Sequence, residues 1–434
     1  MNLTIHRGTK EIGGSCVEVS TSNTRIIIDV GLPLVDQNRE MFDRSIMRGK
    51  TLPQLVDAKV VPDVPGLFTQ GASRPDAILL SHAHLDHVGL LEHTPEDIPV
   101  YATAGTSKMM LAGAVFAGQK ALKRDRHREI KSREPFNVGD IKITPYVVDH
   151  SCYGAVAFLV EADGKKLLYS GDLRWHGRKP GMLNSLVEEV APMGIDALVM
   201  EGTHFGSKRP PRKTEYQLED EIVEHIKKAD GLVLASFSPI DVDRLVTYLK
   251  SSIRSGRTFV ADAYTAFVMH LVHKEIGLPD PKSADCMKVY FNEHFQRRGS
   301  QKTKSMFESN RVSLGEVIAA SEEHVLCFRP SNLRLDFDGT LPPETRLLYS
   351  YWHGYLEKED WIDVRNQIET VDGDFIPAHT SGHIYVEDIV RFVKNLDARI
   401  VIPIHTFDSD LFLDECKNVR SLNDHEKFKI GSVN

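Results

Sequence analysis

The chain has 434 residues, of which 41% are hydrophobic and 26% are charged. This balance is typical of a folded globular protein and excludes a disordered or fibrous chain. The net charge of -8 at pH 7 excludes a protein held to nucleic acid by overall charge alone, because such domains carry a basic surplus.

The location of the protein is predicted from three absences in the sequence. No segment reaches the about 18 consecutive apolar residues that a membrane helix needs. The N-terminal sequence lacks the basic-then-apolar pattern of a secretory signal. The five cysteines are an odd number, and none forms a CxxC pair. We therefore expect a soluble protein of the reducing cytoplasm.

The N-terminal part of the chain predicts a series of strands separated by turns, because short apolar runs alternate with Gly, Asn and Ser. The predicted strands are LTIHRG, SCVEVST, RIIIDVG, DAILLSH, IKITPYVVDH, AVAFLVEA, KKLLYSGD and DALVMEG. Most of them end on a histidine, aspartate or glutamate. Polar residues at the carboxyl ends of buried strands are where α/β sheets place their functional sites.

From about Thr214 onward the pattern changes to alternating helices and strands. The segments EYQLEDEIVEHIKKA and DVDRLVTYLKSSIRSG predict helices, and GLVLASFS and TFVADA predict strands. This alternation is typical of a parallel sheet. Near the C-terminus a helix, VEDIVRFVKNL, precedes a strand, RIVIPIHTF. The interpretation is an inserted α/β domain at residues 209–365, inside a first domain formed by residues 1–208 and 366–434.

The densest group of candidate metal ligands lies in the segment SHAHLDHVG, Ser81–Gly89. His82 and His84 project the same way from an extended chain, while Asp86 and His87 at the following turn can point to a neighbouring site. One short segment can therefore serve two metals. Imidazole and carboxylate ligands together suit Zn²⁺ and, less selectively, Mn²⁺ or Fe.

The motif HxHxDH after a strand resembles the signature of the metallo-β-lactamase superfamily. His150 in VVDHS resembles its third ligand motif, and Asp172 in YSGDLR resembles its bridging carboxylate. After Asp172 the resemblance narrows to the β-CASP nucleases and, among them, to the ribonuclease J group. Glu201 in VMEGTH stands at motif A, His383 in HTSGH at motif B and His405 in IPIHTF at motif C.

The resemblance implies the fold and the metal ligands. The fold is an αββα metallo-β-lactamase sandwich with an inserted α/β β-CASP domain. The cofactors are two divalent ions, with zinc favoured and manganese as the alternative. The implied ligands are His82, His84 and His150 for the first metal, Asp86, His87 and His405 for the second, and Asp172 as the bridge between them.

The resemblance also implies roles around the metals. Asp86, His383 and Glu201 are the catalytic candidates. His383 would steady the phosphorus centre or protonate the leaving 3′-oxygen, and Glu201 would accept the free N–H of a ligand histidine. A structural role at a turn is the alternative for Glu201. The candidates for binding the substrate are Ser381, Gly382, Ser236 and Arg244.

Other segments carry signals that leave two interpretations open. His176, His204 and Trp175 either line the cleft or are partly buried loop residues. The aromatics of SYWHGYL, Ser350–Leu356, either stack on bases or pack in the core. Three basic runs either contact phosphates or are solvated surface: Lys120–Arg133, Ser207–Lys213 and Arg297–Lys304.

The leading functional hypothesis is a two-metal hydrolase that cleaves phosphodiester bonds of single-stranded nucleic acid, with RNA favoured over DNA. The alternative is a hydrolase of the same core fold that acts on a small ester, lactone or thioester. The inserted domain and its basic runs favour a polymer over a small substrate. A non-catalytic subunit is disfavoured because all seven ligand positions are filled. Exonuclease or endonuclease action and a homodimer are left open, and no membrane partner is expected.

Overall fold

The computed structural model describes residues 1–36, 40–71, 73–206 and 212–432. Within these ranges the strands are β1 (Asn2–Arg7), β2 (Cys16–Ser20), β3 (Arg25–Ile28), β4 (Ala77–Leu79), β5 (Val100–Thr103), β6 (His127–Ile130), β7 (Phe136–Val138), β8 (Ile141–Val147), β9 (Val156–Ala162), β10 (Lys165–Tyr169), β11 (Ala197–Glu201), β12 (Val233–Ser236), β13 (Thr258–Asp262), β14 (Met287–Tyr290), β15 (Arg311–Val312), β16 (His324–Cys327), β17 (Arg346–Tyr349), β18 (Asp374–Pro377), β19 (Val401–Ile404) and β20 (Lys427–Lys429).

The α-helices of the same ranges are α1 (Leu52–Asp57), α2 (Leu85–Val88), α3 (Ala104–Phe116), α4 (Gly181–Val190), α5 (Glu215–Lys227), α6 (Val242–Arg254), α7 (Ala263–Ile276), α8 (Glu293–Arg298), α9 (Gln301–Phe307), α10 (Leu314–Ala319), α11 (Pro330–Leu335), α12 (Glu359–Thr370), α13 (Val386–Leu396) and α14 (Leu411–Glu415). Short 3-10 helices lie at Arg44–Met47, Leu91–His93, Ala191–Met193, Glu308–Asn310, Ser321–Glu323 and His353–Glu357. Among the described helices, none has both the length and the apolar character that spanning a membrane requires.

The chain forms two compact units, and the first consists of Met1–Trp175, Lys179–Pro211 and Gly382–Asn434. It contains a seven-stranded sheet in the order β20-β1-β2-β3-β4-β5-β6 and a six-stranded sheet in the order β19-β11-β10-β9-β8-β7. The core of the unit takes alternate residues from both sheets, as expected for sheets packed face to face. These core residues include Leu3, Ile5, Val17, Ile28, Leu79, Ile143, Phe158, Leu167, Val199 and Ile402.

Helices cover the outer face of the six-stranded sheet. Leu186 of α4 and Phe392 of α13 pack in one cluster with Leu168 of β10, and all three side chains are fully buried. The residues of the seven-stranded sheet that point away from the core, such as Ile27 and Ile78, are also buried. The first unit is therefore a layered α/β sandwich, which confirms the fold predicted from the sequence.

The second unit consists of His176–Arg178 and Arg212–Ser381. Its seven-stranded sheet has the order β15-β14-β13-β16-β12-β17-β18, and every neighbouring pair is parallel. The predicted return to the first domain at residue 366 falls inside α12. The second unit continues beyond this residue, because β18 pairs with β17 and places Asp374 opposite Arg346. The predicted start at residue 209 lies outside the described residues.

Two of the predicted substrate-binding residues are interior residues of the second unit. Arg244 and Glu215 form an ion pair, with Nη2 of Arg244 2.7 Å from Oε1 of Glu215, and neither side chain has exposed surface. Thr247 Oγ1 donates a further hydrogen bond to Oε2 of Glu215 at 2.8 Å. Ser236 is also fully buried, and its hydroxyl donates to the carbonyl oxygen of Phe328 at 2.9 Å. In this structure Arg244 and Ser236 offer a substrate no surface.

We expect the substitution Glu215→Gln to lower the free energy of unfolding by about 3 to 5 kcal/mol, because it leaves the charge of Arg244 buried without its counter-ion. Denaturant unfolding measures the loss, and a second change, Arg244→Met, should recover much of it. The control is Asp374→Asn, because Asp374 pairs with Arg346 but is 56% exposed; it should shift stability by at most about 1 kcal/mol. Equal losses in the two single variants would contradict this account of the buried pair.

Candidate metal centre

The four ligand candidates nearest in sequence lie where β4 gives way to α2. His82 follows the strand in extended backbone, His84 caps the helix, and the helix carries Asp86 and His87. The backbone of this turn is packed so closely that a Cβ on Gly31 would lie 1.7 Å from the carbonyl oxygen of Asp86. Only glycine at position 31 allows this approach.

The other candidates lie at one edge of the six-stranded sheet. Its strands β8, β10, β11 and β19 run in the same direction. Strands β8 and β10 are each antiparallel to β9, while β10 and β19 are each parallel to β11. Their carboxyl ends therefore meet at the same edge. His150, Asp172 and His405 follow β8, β10 and β19, and Glu201 is the last residue of β11.

The first group of ligands comprises His82, His84 and His150, whose ligand atoms all lie within 4.8 Å of one another. Nε2 of His82 and Nε2 of His150 each lie 3.1 Å from Nδ1 of His84. Tetrahedral zinc with Zn–N bonds of about 2.0 to 2.1 Å separates its ligand nitrogens by about 3.4 Å. The spacing of the three imidazoles therefore fits one metal ion.

The orientation of His150 is set by a backbone carbonyl. Its Nδ1 donates to the carbonyl oxygen of Gly382 at 2.6 Å, which leaves Nε2 directed at the other histidines. A Cβ on Gly382 would lie 2.2 Å from the hydroxyl oxygen of Ser151. Position 382 therefore needs a glycine, and the role of Gly382 in the structure is to orient a ligand.

The second group comprises Asp86, His87, Asp172 and His405, all buried and again within 4.8 Å of one another. Nε2 of His405 lies 3.1 Å from Oδ2 of Asp86, and Nε2 of His87 lies 3.1 Å from Oδ2 of Asp172. His405 has a positive φ of 55°, and its N–H donates to the carbonyl oxygen of Gly8 at 2.8 Å. Such backbone conformations in residues other than glycine concentrate at functional sites.

Oδ2 of Asp172 is the atom that the two groups share. Five imidazole nitrogens lie within 3.1 to 3.9 Å of it, and they belong to His87, His82, His383, His405 and His150. Among the described residues, neither this oxygen nor Nε2 of His87 has a hydrogen-bond partner of acceptable geometry. Because a buried polar atom without a partner is costly, the donor set fits divalent metal ions that would bind these atoms.

For five of the ligands the electrostatics favour the protonation state that binds metal. The exception is His87: burial opposes its protonation, but Asp172, Asp86 and Asp29 raise its pKa well above the usual range. Burial lowers the pKa of His84 to about 4 and holds the pKa of His82 and His150 well below the usual range. Burial opposes ionisation of Asp86 and Asp172, but the surrounding imidazoles hold the pKa of both carboxyl groups well below the usual range. Neutral imidazole and ionised carboxylate are the forms that ligate metals.

Asp29 is a functional residue that the sequence analysis missed. Its Oδ2 accepts from Nδ1 of His87 and from the Tyr169 hydroxyl, each at 2.8 Å. The N–H and the hydroxyl of Ser81 both donate to the same carboxylate at 2.7 Å. Asp29 therefore fixes the tautomer of His87 and directs Nε2 towards Asp172. The signal in the sequence was the aspartate that ends the predicted strand RIIIDVG.

Thr203 is a second residue that the sequence analysis missed. Its hydroxyl lies 2.8 Å from Oε2 of Glu201 and 2.8 Å from Nδ1 of His405. A hydroxyl has one proton to donate, so when it donates to the carboxylate it accepts from Nδ1–H of His405. This arrangement leaves Nε2 of His405 for the metal site. The signal was the position of Thr203 in VMEGTH, two residues after Glu201.

Glu201 and His383 form a pair beside Asp172. Nδ1 of His383 lies 3.1 Å from Oε2 of Glu201, and Glu201 is fully buried. Burial opposes protonation of His383, but the carboxylates of Glu201 and Asp172 raise its pKa to about 9. The side chain of His383 is 22% exposed, whereas that of Glu201 is 1% exposed. His383 is therefore the member of this pair that a substrate can reach.

The remaining candidates have partners within their own units. Nε2 of His176 donates to the carbonyl oxygen of Ser381 at 2.8 Å. Trp175 donates to Oδ1 of Asn184 at 2.9 Å, so it is held within the first unit. The ring of His204 stacks on that of Tyr385 at 5.7 Å, and burial lowers the pKa of His204 to about 4.

The comparison with known families gives one match, which covers part of the chain. Residues 51–233 match the family described as "Beta-lactamase superfamily domain". This match includes the HxHxDH segment and confirms the resemblance inferred from it.

Individual relatives carry names that are more specific than the description of the family. An RNase J-like protein of Methanocaldococcus jannaschii is 30% identical over 278 residues, which cover 61% of this chain and 58% of that protein. Ribonuclease J of Helicobacter pylori is 20% identical over 421 residues, covering 92% of this chain and 55% of that enzyme. The chain thus spans little more than half the length of these two relatives. A crystal structure of a protein of unknown function from Enterococcus faecalis V583 has a TM-score of 0.80, 20% identity and coverage of 98% and 99%, which shows a shared fold.

We expect Asp29→Asn to weaken the binding of added Zn²⁺ by about 10- to 100-fold, the usual effect of removing a partner that orients a ligand histidine. Competition with a chromophoric chelator measures the affinity, and circular dichroism checks that the variant is folded. Asp140→Asn is the matched control, because Asp140 accepts hydrogen bonds from Thr21 and Asn23 at the surface. An unchanged zinc affinity in Asp29→Asn would show that Asp29 does not position His87.

Proposed function

We propose that this protein is a two-metal hydrolase that cleaves phosphodiester bonds in single-stranded nucleic acid, with RNA as the substrate. The observation that carries the proposal is the shared position of Asp172, whose Oδ2 belongs to one ligand group and lies within 3.9 Å of the other through His82 and His150. The names of the two ribonuclease J relatives support the substrate class. We propose zinc as the native metal, with manganese as the alternative.

We propose the division of ligands that the resemblance implies. His82, His84 and His150 would hold one ion, Asp86, His87 and His405 would hold the other, and the carboxylate of Asp172 would contribute to both. Two such ions, when bound, supply an activated water and neutralise charge on the phosphate. The protein's part is to keep the ligands oriented and largely dry, as the low exposure of Asp172 and His405 illustrates.

His383 and Glu201 carry the proton chemistry in this proposal. Glu201 holds Nδ1 of His383, so that Nε2 is the nitrogen directed at the substrate. At Nε2 the imidazole would steady the phosphorus centre or give a proton to the leaving 3′-oxygen. Glu201 is a positioning residue in this scheme, since its contacts are with His383, Thr203 and the N–H of Leu173.

The basic runs give the proposal less support than the sequence suggested, because many of their charges have partners. In the run Lys120–Arg133, Lys123 pairs with Glu96 and Arg133 pairs with Glu189. The next run lies outside the described residues except for Arg212 and Lys213, and Lys213 pairs with Glu221. Arg297 of the third run pairs with Glu293. The substrate class therefore rests on the metal centre and the relatives.

We expect the purified protein to carry close to two transition-metal ions per chain, because the ligand set divides into two groups that share Asp172. Elemental analysis by plasma mass spectrometry measures the content. A content below about half an ion per chain, with no gain after reloading with Zn²⁺ or Mn²⁺, would exclude the two-metal proposal.

We expect Asp172→Ala and His383→Ala to separate metal binding from proton transfer. Asp172→Ala should lose metal and all cleavage of end-labelled single-stranded RNA. His383→Ala should keep its metal and lose turnover by about 10²- to 10⁴-fold, the range attributed to a general acid. Product gels measure the cleavage of RNA and DNA substrates. Separate hydrolysis assays use a lactone and a thioester as substrates. Near wild-type RNA cleavage by Asp172→Ala, or hydrolysis of the small esters alone by the wild-type protein, would overturn the proposal.

A further inference from the structure

The second unit has a topological switch point that the metal centre does not use. From β12 the chain passes through α6 to β13, which lies on one side of β12 in the sheet. From the neighbouring strand β17 the chain passes through α12 to β18, which lies on the other side. In open parallel sheets ligands bind at the carboxyl ends of strands where connections diverge in this way. The crevice between the ends of β12 and β17 is therefore the expected binding position in this unit.

The backbone at this switch point is held by hydrogen bonds between the two strand ends. The N–H of Ser350, after β17, donates to the carbonyl oxygen of Ser236, at the end of β12, at 2.8 Å. The hydroxyl of Tyr351 donates to the carbonyl oxygen of Phe237 at 2.6 Å. The hydroxyl of Tyr349 donates to the carbonyl oxygen of Trp352 at 2.8 Å. The segment that leads into Trp352 is thus fixed in position.

Trp352 differs from the other tryptophans in its exposure. It is 55% exposed, whereas Trp175 and Trp361 are 8% and 4% exposed. Its ring lies against Gly354, because a Cβ on that glycine would be 2.3 Å from ring atoms, and the edge of Tyr355 packs at 5.6 Å. The indole is therefore seated by its neighbours while much of its surface faces solvent. Because its neighbours already hold the indole in place, stacking a base on Trp352 costs little side-chain conformational entropy.

Two cationic side chains lie next to the aromatic side chains of residues 351–355. Nη1 of Arg329, which follows β16, lies 3.4 Å from the hydroxyl of Tyr351, and the side chain is 24% exposed. Asp262 binds Nε of Arg329 at 2.7 Å and so orients the guanidinium. Nζ of Lys358 lies 4.5 Å from the centre of the Tyr355 ring. Only Trp352 of these rings is exposed, while Tyr351 and Tyr355 are partly buried. An exposed ring with cations nearby is the combination by which proteins bind single strands without sequence preference.

We propose that the switch-point surface, formed by Arg329, Tyr351, Trp352, Tyr355 and Lys358, binds single-stranded nucleic acid. A base stacks on Trp352, and Lys358 contacts phosphate, while Arg329, which is paired with Asp262, supports Tyr351. The inference rests on the proposed function and adds to it a substrate-binding surface in the second unit. It also divides the two interpretations of SYWHGYL, since Tyr351 and Tyr355 pack partly buried against the core cluster and Trp352 is not part of that cluster.

The test is binding of unlabelled single-stranded RNA and DNA 10-mers to the metal-loaded full chain, read by stopped flow before turnover. We expect both oligonucleotides to quench the tryptophan emission, because a stacked base contacts Trp352. Trp352→Phe should lose most of the quenching and keep binding. Trp352→Ala should raise the Kd by about 5- to 150-fold, the range for loss of one base–aromatic stack. Gly354→Ala should raise it as well, since the added methyl group displaces the ring.

Ile253→Ala is the matched control, because Ile253 is 48% exposed in the last turn of α6, away from the end of that helix nearest β12. It should leave the Kd unchanged. If the wild type binds both oligonucleotides and Trp352→Ala binds them equally well, the inference is wrong while the proposed function stands. If the wild type binds neither oligonucleotide, the nucleic-acid substrate itself is wrong, and a protein partner becomes the better account of the exposed indole.

Discussion

The whole candidate site depends on one buried oxygen, Oδ2 of Asp172. Its carboxylate is 2% exposed and has imidazole nitrogens on several sides, but no described hydrogen bond satisfies this oxygen. An ionised group in such a position is stable only when positive charge compensates for the lost water. The fold supplies the geometry for that compensation by bringing the ends of β4, β8, β10 and β19 to Asp172. The architecture of the sandwich thus assembles a buried donor set that fits divalent metal ions.

A second layer of contacts keeps the ligands in their binding orientation. Asp29 holds Nδ1 of His87, the hydroxyl of Thr203 meets Nδ1 of His405, and the carbonyl of Gly382 accepts from Nδ1 of His150. In each case the nitrogen that does not face the centre has a partner. Because the tautomers are fixed before any ion arrives, the site needs little reorganisation to bind metal. The same layer ties Glu201 to His383, the pair to which the proposed function assigns the proton transfer.

The sequence predicted the parts of the site that are local or carry a family signature. HxHxDH was recognisable because one strand and one helical turn place its side chains together. Asp29 was not, because its partners His87 and Tyr169 are 58 and 140 residues away. The resemblance implies Arg244 and Ser236 as substrate ligands, but sequence does not show that Glu215 and the carbonyl of Phe328 occupy them. The domain return was placed too early because the pairing of β18 with β17 is a tertiary contact.

The central claim is that two metal ions flank Asp172, and anomalous diffraction from crystals of the zinc-loaded protein tests it most directly. The account predicts two anomalous peaks about 3.5 to 4 Å apart. One peak should lie among His82, His84 and His150, and the other beside His87 and His405. A single peak, or peaks remote from Asp172, would contradict the account.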